Sequence, residues 1–230
     1  MKKLILLACV LAATVLGSEA IGGMYVQNTA SAGASYLLEQ DFEDTVTNFT
    51  GEENYDFAFT GAGAPLSGTQ SMELGRSGSV GGGAAVSSTF TASELWVYYI
   101  FRAQGTAIAS DCYPVRIQNS SDTNIFRIYY AANRLLYLKF GDVTGLTTGF
   151  TFDLNTTYYI WIRFKPGDGT AEADFWVSTT STKPGSPTSS RTGQTAVGTM
   201  DHMYFSGYSE LNCDFIYDDI LIDDENIGSQ

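Results

Sequence analysis

Tyr158-Tyr159-Ile160-Trp161-Ile162-Arg163-Phe164, then Pro166-Gly167-Asp168-Gly169, then Ala171-Glu172-Ala173-Asp174-Phe175-Trp176-Val177-Ser178 reads as strand, turn and strand. β-branched and aromatic residues fill both runs, and the proline and glycines between them set the reversal. The same pattern extends in both directions. Runs rich in Tyr, Phe, Val, Ile and Thr recur with turn residues about every ten positions, and no 3.6-residue apolar period persists. The expected strands are Leu37–Glu43, Gln70–Leu74, Ala84–Phe90, Leu95–Arg102, Tyr113–Gln118, Asn124–Tyr130, Arg134–Phe140, Thr157–Phe164, Ala171–Ser178, Met203–Ser206 and Asp214–Ile222. Ala131-Ala132-Asn133 closes a hairpin, and the Ser/Thr/Gly/Pro-rich span Thr179–Gly198 reads as a long surface loop. The class is all-β, and about eleven strands without internal repeat imply a two-sheet antiparallel β-sandwich in one domain, residues 36–225.

The remainder is an address and an arm. Lys2 and Lys3 precede the apolar run Leu4–Leu16, and Ser18-Glu19-Ala20 offers small residues for cleavage, so residues 1–20 read as a secretory signal peptide. A retained membrane span needs about 20 apolar residues, more than this run holds. Leu6-Leu7-Ala8-Cys9 resembles a lipobox, but only about five apolar residues precede Cys9, against the 7 to 15 of an h-region. Ile21–Ser35, rich in Gly, Ala and Ser, reads as a flexible arm. The expected location is secreted, cell-surface or periplasmic, with no membrane span after cleavage.

Charge and cysteine count narrow the function. The chain holds 25 Asp plus Glu against 12 Lys plus Arg, a net charge of −13, with one His. Such a chain lacks the cations that displace counterions from a nucleic acid, and a single His leaves neither a His-rich zinc site nor a conventional Ser-His-Asp set. Cleavage after Ala20 leaves two cysteines, Cys112 and Cys213. In an oxidising compartment an even pair reads first as a disulfide, which would contribute on the order of 4 to 5 kcal/mol by closing a loop of about 100 residues. Two buried thiols are the alternative.

Three segments carry a resemblance. Leu38-Glu39-Gln40-Asp41-Phe42-Glu43, the strand pair Tyr158–Phe164 and Ala173–Ser178, and Phe215-Ile216-Tyr217-Asp218-Asp219-Ile220 are similar to concanavalin A-like jelly rolls, nearest the laminin-G-like and MAM-like branches. The resemblance spans Leu37 to Ile222. In such jelly rolls one sheet is concave, and related domains bind glycans on an aromatic and polar concave face.

Splitting each strand by parity separates an apolar face from a mixed one. Leu95, Val97, Tyr99 and Phe101 face inward, leaving Trp96, Tyr98, Ile100 and Arg102 outside. The same split sends outward Arg116 and Gln118, Arg127 and Tyr129, Tyr137 and Lys139, and Tyr159, Trp161 and Arg163. Aromatic rings offer a flat apolar face to the C–H side of a pyranose, and Arg forks onto carboxylates. Trp96, Tyr98, Arg102, Arg116, Arg127, Tyr129, Tyr137, Lys139, Tyr159, Trp161 and Arg163 are therefore the expected carbohydrate-binding residues, with a polysaccharide or other glycan as partner. The same residue types also make good cross-strand pairs on any half-buried sheet.

Acidic residues gather near both termini of the sandwich, and in the resembling folds the terminal strands lie close together. Opposed carboxylates repel unless a cation sits between them, and oxygen-only ligands suit Ca²⁺. The expected ligands of a structural Ca²⁺ are Asp41, Glu43, Asp218 and Asp219; the alternative is a set of solvated edge charges.

Two enzymatic resemblances accompany these. Glu39-Gln40-Asp41-Phe42-Glu43 matches the Glu-x-Asp-x-Glu pattern of laminarinase-like glycosidases, although here it opens the domain instead of lying mid-chain. Tyr137-Leu138-Lys139-Phe140-Gly141 resembles the Tyr-x-Lys-x-Gly segment of jelly-roll alginate lyases, but their Gln-x-His has no counterpart and His202 stands alone in sequence. The reading is a secreted, non-enzymatic lectin-like domain. The alternatives are a structural or adhesive subunit that binds copies of itself or other surface proteins, and a polysaccharide lyase or glycosidase.

Overall fold

A computed structural model describes residues 36–46, 48–53, 55–61, 64–75, 83–108, 112–143, 145–207 and 213–230. The expected leader and arm, residues 1–35, lie outside the described residues. All the described strand pairs are antiparallel, in two sheets.

The eight-stranded sheet runs β13 (Ser189–Ala196), β12 (Gly167–Ser178), β11 (Tyr158–Lys165), β6 (Leu95–Gly105), β15 (Cys213–Asp223), β4 (Ser71–Leu74), β3 (Tyr55–Phe59). The long β15 pairs with β4 near its start and with β1 (Leu38–Gln40) near its end. The seven-stranded sheet runs β10 (Leu146–Thr151), β9 (Leu135–Phe140), β8 (Asn124–Tyr130), β7 (Cys112–Gln118), β14 (His202–Ser206), β5 (Ala84–Ser87), β2 (Phe49–Glu53). All eleven expected strands form, with shifted ends. Among the described residues no helix is long and apolar enough to cross a membrane.

The core lies between the sheets and is built as parity demands. Leu95, Val97, Tyr99 and Phe101 of β6 and Ile160, Ile162 and Phe164 of β11 are buried against Phe126, Ile128 and Tyr130 of β8 and Leu136, Leu138 and Phe140 of β9. Phe126 and Phe164 stack across the two sheets with centroids 4.6 Å apart and rings at 21°. A buried aromatic pair of this kind contributes about 0.5 to 1.5 kcal/mol beyond its area. Tyr217, fully buried on β15, donates its hydroxyl across the core toward the carbonyls of Pro114 (3.1 Å) and Ser206 (2.9 Å), tying the eight-stranded sheet to β7 and β14.

Two expectations change here. Thr179–Gly198 is not loop throughout: Ser189–Ala196 forms β13, an edge strand on β12. Ser-Ser-Arg-Thr-Gly-Gln-Thr-Ala carries no apolar alternation because it is paired on one side only and largely solvated. The chain after β15 also returns to the sandwich: Ile227 is buried, and the Gln230 amide donates to the Ser181 carbonyl (3.3 Å).

Candidate functional site

The parity reading orients the expected binding residues correctly, but they fall on two opposite faces. Trp96, Tyr98, Arg102, Tyr159, Trp161 and Arg163 belong to β6 and β11, on the outer side of the eight-stranded sheet. Arg116, Arg127, Tyr129, Tyr137 and Lys139 belong to β7, β8 and β9, on the outer side of the seven-stranded sheet.

The first group does not form an open aromatic platform. Tyr98, Ile100, Trp161, Trp176, Leu221 and Ile227 make a second, smaller core on that face, packed also by Tyr36, Leu66, Trp96 and Tyr159. Trp161 is 0% exposed and Tyr98 2%. The indole N–H of Trp161 donates to the carbonyl of Gly228 (2.9 Å), so the segment after β15 lies over it. Lys183 clamps that segment: its ammonium sits 4.3 Å from both Trp96 and Trp176 and donates to Asn226 Oδ1 (2.9 Å) and the Ile227 carbonyl (3.0 Å). Partial burial pulls the Lys183 ammonium down to about 8. The cations here are also committed. Arg163 bonds Glu94 (2.8 Å), Glu172 (3.0 Å) and Asp174 (3.1 Å), and Arg102 donates to Thr157 Oγ1. Of these six residues, Tyr98 and Trp161 are buried in that cluster, Trp96 and Tyr159 pack against it partly exposed, and Arg102 and Arg163 are paired with neighbouring side chains.

The second group forms two parallel rows across β7, β8 and β9. One row is aromatic: the centroids of Tyr113 and Tyr129 are 5.2 Å apart, and those of Tyr129 and Tyr137 5.4 Å. The other is cationic: in the strand register Arg116 lies opposite Arg127, and Arg127 opposite Lys139. Tyr113, Tyr129, Tyr137 and Lys139, with Asp142 and Gly145, line an open cleft of about 410 Å³. The Tyr113 hydroxyl lies 3.3 Å from Lys139 Nζ, and the Arg127 guanidinium lies 5.1 Å from the Tyr113 ring centre. Arg127 also reaches Asp142 (3.1 Å) and donates to the Gly141 carbonyl. Arg116 stacks over Tyr204 at 4.4 Å, whose hydroxyl donates to Glu52 (2.5 Å). Burial lowers the Arg116 guanidinium from its ordinary range, with neighbouring Arg127 pushing the same way and Tyr204 and Glu52 opposing.

Sequence reasoning missed Tyr113. Simple alternation from the inward-facing Val115 sends Tyr113 inward as well, but the β7–β8 register shifts between Cys112 and Val115 and turns it out. The signal was Pro114, since proline inside a strand marks a bulge or an edge.

The acidic residues near the termini do come together. Asp218, 0% exposed on β15, accepts from the Ser67 amide (2.8 Å), Ser71 Oγ (2.8 Å) and the Asp219 amide (2.9 Å). Burial, with Asp219 adding, pushes it up to about 8. Asp219 sits at a β-bulge with φ of 44°; burial, with Asp41, Glu43 and Glu39 adding, pushes it up to about 6. Glu43 accepts from the Thr69 amide (2.6 Å), Thr69 Oγ1 (2.5 Å) and the Gln70 amide (3.0 Å); burial opposes these donors, yet the net shift is downward. Hard oxygen donors suit Ca²⁺, but Glu43 and Asp218 spend their oxygens on the 67–71 segment. Among the described residues no three His, Cys, Asp or Glu side chains are grouped to hold a metal.

Three further expectations meet the structure. Cys112 opens β7 in one sheet and Cys213 opens β15 in the other; both are buried, and the structure does not join them in the expected disulfide. Burial, with Asp214 adding, pushes the Cys213 thiol up to about 12. The Glu-x-Asp-x-Glu pattern does not share a strand face, because β1 ends at Gln40 and Phe42 turns with φ of 61°. His202 is not isolated in space: its ring nitrogens meet Asp201 Oδ1 (3.0 Å) and Gln118 Oε1 (3.1 Å), and it is buried. It stands on β14, three strand steps or about 14 Å from β9.

No protein-family profile matches the sequence, and no curated protein matches it. Solved structures do. Cellulose-induced protein Cip1 superposes with a TM-score of 0.61 over 84% of this chain and 100% of its own, at 15% identity. The binding domain of botulinum neurotoxin DC, solved with rat synaptotagmin II, gives 0.57 over 84% of this chain and 49% of its own, at 9% identity. The same domain solved with SialylT gives 0.51 over 78% and 43%, also at 9% identity. At these identities the likeness is one of fold, and that fold is the antiparallel jelly-roll sandwich.

Proposed function

We propose that the chain is a secreted carbohydrate-binding domain of the concanavalin A-like kind, recognising a polysaccharide on the outer face of the seven-stranded sheet. The observation that carries this reading is the row Tyr113, Tyr129 and Tyr137 along an open cleft of about 410 Å³, flanked by Arg127 and Lys139. Phenol rings offer the apolar face on which a pyranose stacks, and adjacent cations give charge-assisted hydrogen bonds to its oxygens. An aromatic cleft with a few convergent polar groups is the ordinary form of a small-molecule site. Fold supports the setting but not the function, because sandwiches of this shape host many activities.

A second reading, a polysaccharide lyase, is favoured by one contact, Lys139 Nζ at 3.3 Å from the Tyr113 hydroxyl in the same cleft as Tyr137. In β-elimination on a uronate, a phenolate would take the C5 proton, the C–H electrons would form the C4–C5 double bond, and the C4–O bond would break, its electrons leaving on oxygen, which is then protonated.

Native affinity electrophoresis in gels holding single polysaccharides, followed by staining for intact polymer, tests both readings. The carbohydrate-binding reading predicts retarded migration with the polymer intact. A cleared track favours the lyase, and no retardation across acidic and neutral polymers overturns both.

A further inference from the structure

We propose, resting on the carbohydrate-binding reading, that the ligand is a linear polyanionic glycan lying across strands β7, β8 and β9, its anionic groups held by the row Arg116, Arg127 and Lys139.

Like charges directly opposite each other on neighbouring strands destabilise a sheet. A chain with only 12 Lys plus Arg nevertheless sets three of them at consecutive register positions, Arg116 opposite Arg127 and Arg127 opposite Lys139. Local neutralisation is thin. Asp142 meets Arg127 at 3.1 Å, but its side chain is 93% exposed and so well hydrated. Glu52 accepts from the Tyr204 hydroxyl, and Lys139 Nζ meets a phenol oxygen. The Nε atoms of Arg116 and Arg127 are buried with no hydrogen-bond partner among the described residues, although Arg127 is only 9% exposed. What a ligand anion relieves is the repulsion along the row.

The geometry gives the ligand its direction. Neighbouring strands lie about 4.8 Å apart, so the cation row spans about 10 Å across the sheet with one charge per strand. The tyrosine row crosses the same three strands. On β8 and β9 it stands two residues away from the cations, about 7 Å along the strand and on the same face. A glycan stacked on the tyrosines therefore presents one edge to a line of cations. A neutral polymer would leave that line unpaired, whereas one carrying carboxylate or sulfate on successive sugars would match it. The row is also a local reversal of the field of a chain at −13, which would otherwise repel such a polymer.

The test uses matched pairs in affinity gels: polygalacturonate against its methyl ester, and dextran sulfate against dextran. The expected result is retardation by at least one charged member, with retention about tenfold weaker on its masked or neutral partner. Arg116→Gln and Lys139→Gln, each verified as folded by near-ultraviolet circular dichroism, should each weaken retention and lower the salt dependence of binding by about one counterion. Equal retention of the charged and uncharged members, or retention unmoved in both variants, overturns the polyanion inference and leaves the carbohydrate-binding reading standing. Absence of retention by all four polymers overturns both.

Discussion

Replacing Trp161 with Ala separates the two sheet faces by a measurable energy. Trp161 is 0% exposed, lies 5.2 Å from the Tyr98 ring, and donates its indole N–H to the Gly228 carbonyl. Truncating a buried tryptophan costs about 3 to 5 kcal/mol, and the lost hydrogen bond adds about 1 kcal/mol. Against a total stability of about 5 to 15 kcal/mol that is a large fraction. Urea unfolding followed by tryptophan fluorescence should therefore show a midpoint lower by about 1 to 3 M. Polymer retention by the protein that remains folded should be unchanged, because the cleft is on the other sheet. An unmoved midpoint together with lost retention would refute this reasoning and place Trp161 on the ligand.

The opposite face predicts the opposite pattern. Tyr137→Ala, at the end of the aromatic row, should weaken polymer retention about tenfold, the loss of about 1.4 kcal/mol of stacking, with a small shift in the melt; equal affinity would remove Tyr137 from the site. Asp218 and Asp219 titrate in the native state near 8 and 6, above the ordinary value of about 3.9. The native state then holds extra protons, so their contribution is full below about pH 4 and is lost as pH rises through 6 and then 8. In chelator the urea midpoint should fall between pH 5 and 9, and Asp218→Asn should flatten that fall; an identical slope in the variant contradicts the assignment. A Ca²⁺ held by Asp41, Glu43, Asp218 and Asp219 would raise the melting temperature at neutral pH by binding only the folded state, and a melt indifferent to Ca²⁺ and to chelator removes the metal from the account. Alkylation and mass spectrometry of denatured, unreduced protein should find Cys112 and Cys213 as free thiols, whereas a linked peptide pair would restore the disulfide.

Alternation made the sandwich legible: Leu95 to Phe101, Phe126 to Tyr130 and Leu136 to Phe140 declare their inner faces by parity alone. The same alternation sorted Arg127, Tyr129, Tyr137 and Lys139 outward correctly. It could not tell which sheet a strand joins, because Trp161 and Tyr137 are both outward by parity and only tertiary packing buries the first under residues 226–230. A strand bulge hid Tyr113, and polar edge strands such as Ser189–Ala196 carry no apolar alternation to read. The bond between Gln118 and His202 is a cross-strand pairing of residues 84 positions apart, which no local pattern announces.

Hydroxyl-radical footprinting of the protein with and without a saturating polymer that retards it tests the central claim most directly. Protection of Tyr113, Tyr129 and Tyr137, with Trp96 and Tyr159 unchanged, is the result this account predicts. Protection of Trp96 and Tyr159 with the three tyrosines unchanged would contradict it and move the site to the eight-stranded sheet.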